Sequence, residues 1–369
     1  MNRFSRVRWV LLVSLCLAIK AFSAGHSVHI QMSKKAVELV SDPELRSILQ
    51  EYQAQWVIGS GLPDGGYLNG YPYAEISHWS KFHRSYFSRV QKTCPPDKLQ
   101  LAECKKLVSH FMGMVAHGFE DEIYDTLLMS LSDEVDGRGG NHLATSKDTI
   151  VDKYALYDYQ GAYDVHPTAV SPLDVVYQAL QPLLESKVQL SHLEEGQGNI
   201  VAAAVWERQL VNPFSNLMDS RLYPWLRQNY RDGIGGINYT GISVARLWDY
   251  YWARFKGHDQ VEPHFTVYPE PGGTIGLNSN IGRGRFMFIA DRPLSYFYRE
   301  LELQKLMLDG SWQEIASKNH YRYDGYLHAV FPIGGFVAGE QYRVKMSYSV
   351  DGLHFDRELI WNATAAGIP

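Results

Sequence analysis

Cysteine is scarce in this chain, with 3 in 369 residues, and no C-x-x-C occurs, which argues against dithiol redox catalysis. Long apolar runs are missing as well. The most apolar stretch, residues 10–19, is too short to span a bilayer, and no other segment approaches that length. There is no excess of positive charge: 35 Lys and Arg stand against 40 Asp and Glu, net −5, which argues against a nucleic-acid scaffold. Internal repeats and low-complexity tracts are also lacking, so solenoids and disordered linkers drop out.

The first residues are where the chain departs from that even texture. Arg3, Arg6 and Arg8 precede the apolar run, and the small residues Ala21, Ser23 and Ala24 follow it. That order predicts a signal peptide over residues 1–24, cut near residues 23–25, and an exported protein. Cys16 follows a Leu, a poor lipobox residue, so no lipid anchor is expected. Residues 1–24 hold four of the basic side chains and none of the acidic ones, so their removal takes the net charge from −5 to −9. Cys94 and Cys104 remain, both in the polar stretch KTCPPDKLQLAECKK. In an oxidising compartment they are expected to form one disulfide pinning that loop.

A chain this long predicts two domains. Up to about residue 257 the periodic segments are helical: 34–53, 107–131, 173–190, 199–210 and 242–255. Ser171-Pro172 reads as the N-cap and first position of the third, and Gly257 as the stop of the last. From 258 to 369 short alternating runs such as GRFMFIAD, YLHAVFPI and EQYRVKMSYSV are punctuated by Pro and Gly. In the last of these Tyr342, Val344, Met346 and Tyr348 share one face. The expectation is a mainly α-helical bundle over 25–257 followed by an immunoglobulin-like β-sandwich over 258–369.

Residues 107–131 carry the most chemistry. On one helix His117, Asp121 and Asp125 form a single row, because residues four apart lie one turn above each other. An imidazole and two carboxylates so placed can converge on a divalent cation, and the alternative is a solvated acidic face. The stretch Gly61-Leu62-Pro63-Asp64-Gly65-Gly66 is not expected to be helical; by default its Asp64 is a turn residue. Ser77-His78-Trp79 follows after a Tyr-rich connection.

These residues, in this order, resemble the zinc-dependent phospholipase C family, which includes the catalytic domain of GPI-specific phospholipase D. The resemblance spans about residues 26–255 and rests on five motifs: His29 seven residues before Ala36, Pro63-Asp64, Ser77-His78-Trp79, Gly113 with His117 and Asp121, and Asp148 with Asp152. It implies the bundle shared with P1-type nucleases, and two or three Zn2+ ions held by His29, Asp64, His78, His117, Asp121, Asp125, Asp148 and Asp152. It also implies that Asp64 orients or deprotonates the attacking water. Two departures matter. Asp125 and Asp148 stand where relatives have His, which hardens the site and leaves manganese, calcium or iron open beside zinc. His142, Asp158 and His166 are alternative ligands around the later motif, and His26 could contribute near a new amino terminus.

A cation cluster answers both difficulties of a phosphodiester, its negative charge and its poor leaving oxygen. The expected activity is phospholipase C cleavage of glycerophospholipids at a membrane surface. Phosphatidylcholine is favoured because Tyr67, Tyr71, Tyr73 and Trp79 surround two candidate ligands and could hold a quaternary ammonium. The opposing reading is that these rings only pack the loop. Phospholipase D cleavage, a single-strand nuclease and a non-catalytic surface-binding protein with a degenerate site remain the alternatives.

Overall fold

The computed structural model describes residues 25–136, 147–159, 170–184, 188–210, 213–276, 284–293, 298–319, 325–333, 336–350 and 354–366. The chain divides into two compact units, Met1–Trp248 and Asp249–Pro369. The first is helical and the second is built of β-strands.

The first unit opens with α1 (His26–Leu39) and α2 (Pro43–Glu51), where the periodicity predicted one helix over 34–53. Pro43 has no N–H to continue the first helix, and Asp42 caps the second by accepting from the N–H groups of Glu44 and Leu45. After α3 (Gln53–Gly61) the chain enters a 3-10 helix, Asp64–Asn69, so Asp64, expected in a non-helical stretch, opens a tight helical turn. Then come α4 (Tyr73–Ser77), α5 (Ser80–Thr93) and α6 (Ala102–Ile123). A disulfide joins Cys94 and Cys104 between α5 and α6.

Past Ile123 the predicted long helix widens into a π-helical turn, Tyr124–Met129, before α7 (Ser130–Val135). Among the described residues the remaining α-helices are α8 (Lys147–Asp158), α9 (Leu173–Leu180), α10 (Leu190–Leu210), α11 (Pro213–Leu222), α12 (Pro224–Asn229) and α13 (Ile237–Phe255). Pro172, and not Ser171, stands at the cap of α9, and no side chain caps it. The division between the units falls inside α13. Among the described residues no helix is long and apolar enough to cross a membrane.

Two glycine-mediated contacts set the middle of this unit. A Cβ on Gly59 of α3 would lie 2.5 Å from the carbonyl oxygen of His110 on α6, and one on Gly113 of α6 would lie 2.1 Å from that of Trp56 on α3. Only glycine permits such backbone approach. Trp56 is buried beside it, as is Trp248, whose Nε1–H donates to Met112 O at 2.8 Å. Because α3 runs on into Asp64 while α6 carries His117 and Asp121, this contact fixes the distance between those side chains.

Among the described residues the second unit has eight strands. β1 (Phe265–Tyr268), β3 (Gly284–Ala290) and β6 (Leu327–Ile333) form one sheet in the order β1-β3-β6. With β2 (Gly273–Gly276), β4 (Tyr298–Leu306), β5 (Trp312–Asn319), β7 (Gln341–Tyr348) and β8 (Arg357–Ala366), the other sheet runs β2-β8-β7-β4-β5. All described pairings are antiparallel except β2 with β8. Opposed pairs such as Leu303 with Val344 and Val344 with Trp361 turn inward, and Phe286 and Phe288 of the other sheet join them in one apolar core.

Candidate metal centre

Five of the predicted ligands meet inside the first unit: His29 from α1, Asp64 from the 3-10 helix, His78 at the end of α4, and His117 and Asp121 from α6. All five are buried, none more than 8% exposed. Two of the three imidazoles are aimed by a hydrogen-bond partner. His78 Nδ1 lies 2.6 Å from Ala74 O, and a carbonyl can only accept, so Nδ1 carries the proton and Nε2 faces the cluster. His29 Nδ1 lies 2.7 Å from Glu120 Oε2, which turns its Nε2 inward too. Gly118 lets α6 reach His78: a Cβ there would lie 2.0 Å from the His78 carbonyl oxygen.

The distances among the inward atoms have a definite pattern. His78 Nε2 and His117 Nε2 are 2.9 Å apart. Asp64 Oδ1 lies 3.3 Å from His78 Nε2 and 3.4 Å from His117 Nε2; Asp121 Oδ2 lies 3.4 Å from each of the two. A tetrahedral Zn2+ with bonds of about 2.0–2.1 Å requires ligand atoms about 3.3–3.4 Å apart. The four carboxylate–imidazole separations match such an ion, while the 2.9 Å between the two imidazole nitrogens is shorter. His78, His117 and Asp121 lie close enough together to hold one cation, as do His29, Asp64 and His117. Asp121 turns its other oxygen, Oδ1, to His29 Nε2 at 3.2 Å, so its carboxylate could bridge to a second.

The electrostatics follow from burial and mixed charge. Burial pushes the Asp64 carboxyl up, but His117 and His78 beside it outweigh this and hold it well below the usual carboxylate range. Asp121 is lowered in the same way by His117 and His29. Burial pulls His29 and His78 down, but Asp121 and Glu120 raise the first, and Asp64 and Asp121 the second, above the ordinary imidazole value of 6.5. His117 is lowered, by burial and by His29. His26, at the margin of the cluster against Gly61, is pushed down to about 3 by burial, with His29 and His117 adding to it.

A sign for pH dependence results. His29 and His78 hold protons to higher pH than free imidazoles do, and a cation must displace those protons. Zn2+ affinity is therefore expected to rise as pH increases through and beyond 6.5, with proton release on binding. Calorimetric titration at pH 6 and pH 8 in buffers of different ionisation enthalpy checks this; equal affinity without proton release would exclude these imidazoles as ligands.

Of the other predicted ligands, Asp125 and Asp152 are not part of this group. Asp125 is the second residue of the π-helical turn, where bonding shifts from i→i+4 towards i→i+5. Among the described residues, no group of candidate ligand atoms includes Asp125 or Asp152. Asp152 instead accepts from the Val28 N–H at 3.0 Å, occupying the start of α1, which has no acid in its first turn. Asp148 is on α8, and its side chain falls outside the described residues, as do His142 and His166. Asp158 pairs with Arg227 and Tyr230.

The four aromatic residues divide into two pairs. Tyr67 lies over His78, ring centroids 5.5 Å apart, and donates to Glu75 Oε2 at 2.9 Å, while Trp79 Nε1–H donates to Glu75 Oε1 at 2.8 Å. Trp79 is 42% exposed. Tyr71 stacks on His192 and Tyr73 is buried against Gly66 and Gly196, so these two pack the 3-10 helix onto α10. The residue that sequence reasoning missed is Glu120. No local motif marks it, since its partner His29 is 91 positions away. Compared with models of known families, with curated proteins and with solved structures, the chain matches none.

Proposed function

We propose that this chain is an exported, metal-dependent phosphodiester hydrolase of the phospholipase C type. It would cut glycerophospholipids to diacylglycerol and a phosphorylated head group. The observation that carries the reading is the buried convergence of His29, Asp64, His78, His117 and Asp121, whose inward ligand atoms approach one another to 2.9–3.4 Å. So many buried, mutually facing imidazoles and carboxylates are costly in a merely structural core. Divalent cations held there would neutralise the phosphate, lower the pKa of an attacking water and stabilise the leaving oxygen.

In this reading His78, His117, Asp64 and Asp121 hold one cation, and His29 with Asp121 begins the site of a second. Asp64 uses Oδ1 for ligation and has its second oxygen to orient water. Glu75 accepts from both Tyr67 and Trp79, and Tyr67 lies against His78; this carboxylate with its two aromatic rings supports a quaternary ammonium head group such as that of phosphatidylcholine. The disulfide supports export. The strand order of the second unit, with its first strand in one sheet and its second pairing with its last, supports an immunoglobulin-like sandwich.

Incubating the Zn2+-loaded protein with labelled phosphatidylcholine and, separately, with single-stranded DNA tests the assignment. Diacylglycerol is expected from the first and no cleavage of the second. Phosphatidic acid would move the cut to the other side of the phosphate, DNA cleavage would make the protein a nuclease, and no turnover with Zn2+, Mn2+ or Ca2+ would leave a binding protein.

A further inference from the structure

Glu120 is wholly buried on α6, one residue before Asp121. Its two oxygens are both engaged from α1: Ser33 Oγ–H donates to Oε1 at 2.9 Å, and Oε2 faces His29 Nδ1 at 2.7 Å. Ser33 is four residues after His29, so one face of α1 supplies both partners. The His29 ring is further confined by His117, centroids 4.1 Å apart. Burying a carboxylate costs free energy unless it is paired and hydrogen-bonded, and Glu120 meets that condition only while His29 keeps this orientation.

We propose that Glu120 is the positioning residue for His29: it takes the Nδ1–H, and thereby fixes both the ring orientation and Nε2 as the nitrogen that faces Asp121 and a cation. The inference rests on the metal reading above and extends it to a residue that touches no cation itself. The carboxylate sets the imidazole, the imidazole sets the direction of its lone pair, and Ser33 sets the carboxylate. Partners of this kind change metal affinity by about 10- to 100-fold when removed.

Zn2+ titration of the purified full-length protein tests this, with Glu120→Ala and Glu120→Gln compared by calorimetry and by competition with a chelator. Glu120→Ala is expected to weaken Zn2+ binding about 10- to 100-fold. Glu120→Gln should restore most of the affinity, because its amide oxygen still accepts from His29 Nδ1–H. A Glu120→Ala protein with a native thermal transition and wild-type Zn2+ affinity would overturn the proposal. So would a folded Glu120→Gln protein that loses as much as Ala is expected to, whether or not the Ala variant folds. Nitrogen-15 NMR of the Zn2+-loaded wild type supplies a readout independent of any variant: the His29 ring should be protonated at Nδ1, and protonation at Nε2 would contradict the assignment. Failure of the wild type to bind Zn2+ at all would sink the metal reading itself, an outcome distinct from normal binding that ignores Glu120.

Discussion

Asp121→Asn is expected to cut phospholipid turnover by about a thousandfold or more and to lower the bound cation, with the fold retained. Among the described residues Asp121 is the carboxylate that meets all three histidines: Oδ2 lies 3.4 Å from His78 Nε2 and from His117 Nε2, and Oδ1 lies 3.2 Å from His29 Nε2. Asn has the same size, so packing survives, but one oxygen becomes an NH2 that can only donate. The shared side chain of both proposed cation positions is then lost. Charge stabilisation by a bound cation is worth several kcal/mol in a transition state, and about 4 kcal/mol corresponds to about three powers of ten in rate. Asp125→Asn is the matched control, one helical turn on, and should leave turnover near wild type. Steady-state kinetics and metal content of both variants decide the matter; wild-type rates in Asp121→Asn would remove Asp121 from the machinery.

Gly118→Ala is expected to damage stability and the site together. The added Cβ would lie 2.0 Å from the His78 carbonyl oxygen and 2.7 Å from its carbonyl carbon, and neither is the flexible end of a side chain. The His78 segment must move away from α6 by more than an ångström. Overpacking of this kind costs about 1–3 kcal/mol. The same movement separates His78 Nε2 from His117 Nε2, now 2.9 Å apart, and a shift of about 1 Å at a reacting centre is enough to cost about 100-fold. Gly198→Ala, on α10 with no atom within 4 Å of its Cβ position, should be neutral or slightly stabilising. Thermal unfolding and Zn2+ titration of the pair check this. A wild-type midpoint for Gly118→Ala would mean that α6 and His78 are not in this contact.

How far the sequence could be read depended on whether a residue's role is local. The alternation of Tyr342, Val344 and Met346 marks a strand with one buried face, and all three are buried in β7. Pro43 and Asp42 were in plain view as a helix break, yet apolar spacing alone runs straight through them. His117 and Asp121 are four apart on a regular helix, so spacing was sufficient to place them together. The same spacing misleads at Asp125, because nothing in the one-dimensional pattern announces a π-helical turn. Asp152 resembles a ligand in sequence, but its surroundings are set by the start of α1, 124 positions away, where it meets the Val28 N–H. Glu120 and the split of the aromatic residues between Glu75 and α10 are tertiary facts of the same kind. Chemistry that depends on which segments meet is written in the packing, above all in the glycines that let α3, α4 and α6 touch.

The most direct test of the central claim is elemental analysis of the purified protein joined to a Zn2+ titration after chelation. At least two tightly bound divalent ions per chain are expected, with Zn2+ restoring that number and His117→Ala lowering it. A protein that carries no divalent cation above background and takes up none of Zn2+, Mn2+ or Ca2+ would contradict the account.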